Sequence, residues 1–434
     1  MNVALAKTDT GRAVDRVFAP VRDRLPGAGK VADARRKAFE AFEQAGLPHR
    51  RLEEWKYTDL RALMREVLPL AGTPDAAALA RARAALAVCA IEGAAKLVLV
   101  DGVFAANLSD ATESGVSVRT LRDALEKGCA DLLNASATDV MISLNAALVT
   151  DGVVVDVADG VALTRPIQII HAATAAAASI VTRSRFRLGN GSRAALVESF
   201  VAADGAKAYQ ANDVVLVSVG DDAELSQLRL TADSLDAVNI TSTIYAIGAR
   251  AKLNLFNLTG GGAVSRFQGF LTFAGEGSEL SVNGVNLLRG SQHGDTTLVV
   301  DHAVPHCTSR ELFRAVVDDR AHSVFQGRII VRPDAQKTDG KMMTRALLLS
   351  DEAEADNKPE LEIFADDVTC GHGATAGALD DSLLFYLRAR GLPEKEAQAL
   401  LIQAFVGEAI EAITDENLQA VAMAQAERWL EARG

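Results

Sequence analysis

The sequence predicts a mainly β protein whose centre is a parallel β-helix, a solenoid, with α-helical regions before and after it. Three observations predict this. Short runs rich in Val, Ile, Leu and Phe, bounded by Gly, Asn and Asp, continue from about Lys96 for more than two hundred residues. Within them the pattern G-x-x-[AS]-x-L recurs at a spacing near 28. Both ends of the chain are instead rich in Ala, Arg, Glu and Leu at helical spacing. The expected divisions are a helical region 1–94, a β-helix core 95–378 and a helical region 379–434.

Residues 1 to about 90 read as helical. VADARRKAFEAFEQAGLP carries apolar Ala34, Phe39 and Phe42 and stops at Gly46 before Pro48. In RLEEWKYTDLRALMREVLPL, Thr58 or Asp59 is placed to cap a helix running to about Leu68, ahead of Pro69. The β region follows, and its repeat falls at Gly191–Ala194–Leu196, Gly220–Ala223–Leu225, Gly248–Ala251–Leu253 and Gly275–Ser278–Leu280. The glycine spacings are 29, 28 and 27. A drifting period of this size implies coils of two or three strands, with Leu stacked on Leu and Gly taking a positive-φ corner. The competing reading is chance recurrence in a Gly-rich β-sandwich. In the last region Asp380 or Asp381 caps SLLFYLRAR, with Gly391 past its end. Pro393 opens a second helix, and Thr414 or Asp415 caps a third. Ala397, Leu400, Leu401, Ala404, Phe405 and Ile410 form an apolar stripe on the second. Such a stripe packs on its own domain or docks a partner.

Composition narrows the function. The chain has 434 residues, 49% of them hydrophobic and 24% charged, which is globular. A net charge of −12 argues against nucleic acid or an anionic membrane as the main partner. The longest apolar stretch, near Ile169–Val181, is interrupted by His171, so no transmembrane helix is expected. MNVALAKTDTGRAVDRVF has no apolar h-region, so no secretory signal is expected either. The cysteines, Cys89, Cys129, Cys307 and Cys370, include no CxxC pair. That usage fits a reducing cytoplasm and excludes a disulfide framework or a four-Cys metal site.

Two nucleotide-binding patterns fail on inspection. LPGAGKV lacks the first Gly of a Walker A, where Arg24 stands, and Val31 replaces the Ser or Thr after its Lys. Gly189, Gly191 and Ala194 fit G-x-G-x-x-A, but a strand follows them and not a helix. No G-x-S-x-G elbow occurs. Two constellations remain. SQHGDTTLVVDHAVPHCTSRELF gathers His293, His302, His306 and Cys307. Pro305 excludes a helix there, so His302 and His306 converge only on a bent strand pair, and are otherwise packed core histidines. In DDVTCGHGATAG, Cys370 and His372 lie at i and i+2, on one face of an extended strand. Thiolate and imidazole suit iron or zinc, and Gly371 and Gly373 leave room for a close approach. Two ligands do not close a site, so the rest would come from another chain. The plainer reading is a buried Cys and an ordinary His. The acidic run DEAEAD at 351–356 reads as a solvated loop.

Several segments together resemble one family. RLEEWKYTDLRAL, HCTSRELFRAVVDDRAHSVFQGRIIV, AQKTDGKMMTRALLLSDEAEADNKPELEIFADDVTCGHGATAG and LFYLRARGLPEKEAQALLIQAFVGE are similar to the SufB/SufD family of iron–sulfur cluster assembly proteins. The likeness runs from about residue 35 to the C-terminus. SufB-type members carry Glu directly after the matching His; Gly373 stands there here, which points to the SufD branch. The resemblance implies a right-handed parallel β-helix core between helical regions. It implies a non-catalytic scaffold subunit that pairs with SufB through the β core and binds the ABC-type ATPase SufC through the C-terminal helices. SufB is then the main scaffold and this chain supports iron entry. The family's functional His falls on His372, at the SufB-facing end, with Cys370 beside it. The resemblance further implies that no cofactor is held stably by the chain alone and that iron or an iron–sulfur cluster is shared transiently with SufB.

Two other functions compete. One is a homodimeric metal-storage or metal-sensing module built on His302 and His306. The other is a polysaccharide lyase or acyltransferase on a β-helix, which 5% aromatic content and the acidic charge disfavour.

Overall fold

The structure, a computed structural model, describes Phe18, Val21, Arg22 and residues 25–433. The helical reading of residues 1–17 and the reading of their missing h-region lie outside the described residues.

Nineteen strands lie among the described residues. They are β1 (Ala95–Val100), β2 (Val103–Phe104), β3 (Val116–Thr120), β4 (Val153–Val157), β5 (Ile167–Ala173), β6 (Ser179–Leu188) and β7 (Arg193–Ala202). Next come β8 (Gln210–Val219), β9 (Glu224–Ala232), β10 (Val238–Ile247), β11 (Lys252–Thr259), β12 (Val264–Phe273) and β13 (Glu279–Leu288). The last are β14 (His293–His302), β15 (Thr308–Val317), β16 (His322–Val331), β17 (Asp339–Leu348), β18 (Glu354–Ile363) and β19 (Thr369–Gly377). From β4 onward the chain alternates between two sheets: even strands fall in one, odd strands in the other, and each pairs in parallel with the strand two ahead. The result is a flattened solenoid of eight two-strand coils. Parallel pairing passes every inner backbone group to the coil before or after, so no edge opens along its length.

The interior follows the strand period of two. Leu225, Leu253 and Leu280 are Cα partners in successive coils and are buried in one core with Phe186, Phe267 and Val282. The stacked leucines hold, but the first copy of the repeat is displaced. Ala194, not Leu196, partners Leu225, and Leu196 partners Gln227. The stacking glycine of that coil is therefore Gly189.

The glycines also work differently from expectation. Gly220, Gly248 and Gly275 have no positive φ; the left-handed corner comes two residues later, at Asp222 (φ 55°), Arg250 (φ 53°) and Gly277 (φ 73°). The repeat glycines are instead required by backbone approach. A Cβ on Gly220 would lie 2.8 Å from the Gly189 carbonyl carbon, and one on Gly248 2.8 Å from that of Gly220.

Among the described residues the α-helices are α1 (Lys30–Ala45), α2 (Leu60–Leu63), α3 (Ala76–Cys89), α4 (Leu121–Glu126), α5 (Val140–Leu148), α6 (Asp381–Ala389), α7 (Glu394–Ile410) and α8 (Glu416–Arg433). The expected helix to Leu68 is shortened to α2. Asp59 caps it by accepting from the Arg61 N–H at 3.0 Å. Arg65 then turns at φ 68°, and the Leu68 N–H is taken by Gln210 Oε1 at 2.9 Å, which draws the chain onto the even sheet. α4 and α5 interrupt a stretch expected to be strands only. α5 is apolar on nearly every side and packs with Phe39 and Phe42 of α1 over outward Val181, Ile240 and Val264. The WKYT segment is pinned to the same sheet: the Arg266 guanidinium lies 3.9 Å over the Trp55 ring, and the Trp55 indole N–H donates to Asp139 at 2.8 Å.

At the other end, Asp380 caps α6, Gly391 follows it at φ 95°, and Asp415 caps α8. α7 and α8 cover the outer face of the odd sheet, with Ile402, Val406, Leu418 and Trp429 on Leu228, Phe256 and Val285. The buried stripe of α7 is thus Ala397, Ile402, Val406, Ala409 and Ile410. Of the expected stripe, Leu400 and Ala404 are exposed. α7 is apolar around most of its circumference, so spacing alone does not select the face that meets the sheet.

The two ends of the solenoid differ. β2 pairs antiparallel with β1 and β3 antiparallel with β4, which closes the first coil. β18 and β19 end their sheets, and none of their residues is fully buried.

Two stability predictions test this packing. Leu225→Asp places an unpaired carboxylate in the core at a cost of several kcal/mol and should prevent folding; soluble, cooperatively melting protein would refute the leucine stack. Gly275→Ala, whose methyl collides with the Ala249 backbone nitrogen, should lower the melting temperature more than Gly277→Ala, whose methyl meets only Arg250 Cγ at 3.6 Å and faces an unfavourable φ worth about 1 kcal/mol. The reverse order in a thermal melt would refute the close-approach argument.

Candidate functional site

The open coil holds the residues with metal-binding chemistry. β19 pairs with β17 so that Cys370 lies over Gly340 and His372 over Met342. Met342 is buried in the core, so both residues sit on inward-facing register positions. No coil covers them. His372 is exposed, and Cys370 is half-buried against the core. The i, i+2 spacing therefore does bring them to one face, and that face is the uncapped end. Gly371 looks into open space, while a Cβ on Gly373 would meet only the flexible end of Met343.

What lies beneath them was not visible from spacing. Below Met342 the same register position is Glu311, and below Gly340 it is Ser309. Gly340 has no side chain, and a Cβ there would touch Ser309 Oγ at 3.4 Å and Ile329 at 3.5 Å. Ser309 Oγ is 3.1 Å from His302 Nε2. Glu311 is buried, and neither carboxylate oxygen has a hydrogen-bond partner in the protein. Burial pushes its pKa up to about 8; nearby Ser309 and Arg310 offset only part of this. The Cys370 thiol is raised chiefly by burial, with the negative fields of Asp339 and Glu311 adding to it. The thiol is thus protonated near neutral pH, and a cation must displace its proton to bind sulfur.

The histidine-rich segment does not converge. His302 ends β14 facing inward, where burial lowers its pKa to about 4. His306 is exposed on a turn at φ 61°, and Cys307 is buried with its thiol 3.5 Å from the Gly275 carbonyl. His293 is engaged by Thr58 Oγ1 at 2.8 Å, under the WKYT segment. These are core and corner residues, which removes the support for a metal module on His302 and His306.

The acidic run at 351–356 is not simply a loop. Glu354 opens β18, and Asp356 Oδ2 lies 2.8 Å from His322 Nε2. One potential ligand atom from each of His322, Glu354 and Asp356 lies within 4.8 Å of the other two. The open coil therefore carries a second half-exposed donor set on its other sheet. Its signal in the sequence was the alignment of β16 with β18 one coil later, which charge composition conceals.

Glu311 gives a pH test. Its folded pKa lies above the ordinary 4.5, so between about 4.5 and 8 the folded state holds a proton the unfolded state has lost. Its stabilising contribution is complete below that window and falls by about 1.4 kcal/mol per pH unit through it. Glu311→Gln should remove this decline, so the variant gains stability over the parent as pH rises from 5 to 8. Parallel denaturation profiles for the two proteins would refute the buried, unpaired carboxyl.

Comparison with known proteins agrees with this architecture. Residues 170–405 match the family described as SUF system FeS cluster assembly, SufBD core domain, and residues 27–169 match the SufBD protein N-terminal region. The iron–sulfur cluster assembly protein SufD of Escherichia coli K12 is 33% identical over 388 residues, spanning 88% of this chain and 89% of that protein. A SufBD family protein of Synechocystis is 29% identical over 414 residues, with 90% and 89% covered. The SufD of Bacillus subtilis is 26% identical over 293 residues, 64% of each chain. The chain belongs to the SufBD family of iron–sulfur cluster assembly proteins and is a homologue of SufD.

Proposed function

We propose that this protein is the SufD-type subunit of a cytoplasmic scaffold complex, pairing with a SufB-type chain through the open coil and docking a SufC-type ATPase through its C-terminal helices. It is a non-catalytic subunit on this reading, and iron or a nascent iron–sulfur cluster is its transient cargo. The observation that carries the proposal is the uncapped last coil with exposed His372 beside half-buried Cys370. Unpaired β18 and β19 edges favour a second β-rich chain as the cover. His372 is exposed, whereas Cys370 is half-buried and must first give up its proton. His372 is therefore the first ligand this chain offers, Cys370 the second, and the remaining positions belong to SufB.

The C-terminal helices support the ATPase part. α6 has no buried residue, and Leu383, Phe385 and Tyr386 are 52%, 74% and 55% exposed. An apolar set of this size on one short helix suits a protein partner. α7 and α8, by contrast, are committed to the odd sheet, so truncating all three helices would damage the solenoid itself. Point changes on α6 are the cleaner test.

Native mass spectrometry after co-expression with SufB-type and SufC-type chains should give one copy of this chain, one of SufB and two of SufC. A homodimer of this chain with no SufB bound would overturn the pairing. His372→Ala should preserve that assembly and lower the yield of cluster by roughly tenfold or more, in line with loss of a metal ligand; unchanged yield removes His372 from the mechanism. Phe385→Asp with Tyr386→Ser should abolish SufC retention and leave the melting temperature unchanged, and a normal SufC content would exclude α6 as the dock.

A further inference from the structure

We propose that His171, Glu198 and Asp213 form a buried site for one divalent transition-metal ion inside the first coils of the solenoid. The proposal does not depend on the open coil, which lies at the opposite end of the sheets.

His171 is on β5, Glu198 on β7 and Asp213 on β8, and all three occupy inward positions. They continue the files of Ile169, Leu196 and Val215, which line the core. One potential ligand atom from each lies within 4.8 Å of the other two. An apolar solenoid interior does not explain this grouping, because each group loses hydration on burial.

Three polar atoms of the cluster are orphaned. His171 Nε2, Glu198 Oε1 and Asp213 Oδ2 are buried without a hydrogen-bond partner. Their other atoms are already held. Asp213 Oδ1 accepts from Thr182 Oγ1 at 2.5 Å, and Glu198 Oε2 accepts from Gln227 at 2.5 Å and Arg229 at 3.0 Å. The His171 ring stacks on Phe200 at 4.4 Å and 11°, which fixes its plane. Burial keeps the imidazole neutral, with its pKa at about 4, so a lone pair remains available. A fixed donor set with one free atom on each member is what a bound cation requires.

Space and charge agree. A cavity of about 20 Å³ is lined by His171, Thr182, Tyr209, Asp213 and Asp233 among others, room for one ion or one water. Glu198 does not line this cavity and reaches the cluster from beside it, with the Arg229 guanidinium on its other oxygen; the carboxylates of Asp213 and Asp233 do line it. Arg183 also acts on Asp213, but its guanidinium is turned away to Asn145 and to the Asn134 carbonyl. One imidazole nitrogen with two carboxylate oxygens suits Zn²⁺, Mn²⁺ or Fe²⁺ and offers nothing to a thiophilic ion such as Cu⁺.

The test uses the full-length chain carrying Cys370→Ser and His372→Ala, which removes the open-coil pair. Purified from metal-replete cells and dialysed against EDTA, it should retain about one equivalent of metal by plasma emission, since a closed interior site exchanges slowly. Adding Asp213→Asn or His171→Phe, which keeps the Phe200 stack, should reduce this at least tenfold and lower the melting temperature. Retention unchanged by either substitution would overturn the site. Should both variants misfold, diffraction from the parent chain at the metal edge decides. An anomalous peak between the three side chains supports the proposal, and a water-strength peak without anomalous signal, bridging the orphaned atoms, overturns it. Loss of metal here with cluster assembly intact would leave the role of His372 untouched, and the converse result would leave this site standing.

Discussion

Each coil of the solenoid buries its inward side chains only against the coils directly before and after it, and the rest of the molecule is arranged around that constraint. It demands strict register, so Leu225, Leu253 and Leu280 align and the repeat glycines give up their side chains to let successive corners touch. It also makes both ends a problem. The first coil is closed from within the chain by antiparallel β2 and β3, while β18 and β19 are left with their inner faces uncovered. The helices solve a different problem: α1 and α5 cover one outer face and α7 and α8 the other. A scaffold with sealed faces and one unsealed end has a direction, and its chemistry concentrates where the sealing stops.

The interior is not uniformly apolar, and the places where it is polar are informative. Between the two ends runs an apolar file of Leu, Val and Phe. Near the first coils the buried Glu198–Arg229 pair, His171 and Asp213 gather, and near the last lie Glu311, Ser309 and His302. Ionisable groups buried without a full set of partners cost several kcal/mol each. A fold with freely variable inward positions would replace them with aliphatic residues at a gain in stability. They flank the leucine stack directly: Arg229 shares β9 with Leu225, and Ser309 is the Cα partner of Leu280.

Much of this was legible in the sequence, and the failures share a cause. The strand texture, the recurring Leu and the i, i+2 pairing of Cys370 with His372 depend only on local period, and all three are present in the structure. The misplaced first copy, keyed on Gly191 where Gly189 does the stacking, arose because Ala194 and Leu196 are both inward and a local pattern prefers the larger. α5 and the buried face of α7 were missed because both helices are apolar around most of their surface, which leaves no periodic contrast. The acidic run at 351–356 reads as a solvated loop from composition, yet Glu354 and Asp356 lie on an edge strand, where charge is expected. Glu311, too, needs register: only its alignment between Val282 and Met342 reveals it as inward.

The connection between β19 and α6 links the two proposed partner surfaces. β19 is held by a single ladder, to β17, and its last residue, Gly377, is separated from Asp381 of α6 by three residues. No residue of α6 is fully buried, and only Leu384 and Leu387 are half-buried. A partner that grips Phe385 and Tyr386 therefore holds an element whose shortest tether is the strand bearing Cys370 and His372. The other tether, through Gly391 to α7, ends on a helix anchored firmly by Ile402 and Val406. Displacement of α6 is consequently transmitted to the weaker side, the edge strand, which the ladder to β17 holds on one side and no coil covers on the other. On the proposed reading, movement of a docked ATPase acts on the end of the solenoid where His372 meets SufB, without disturbing the leucine stack that keeps the scaffold intact.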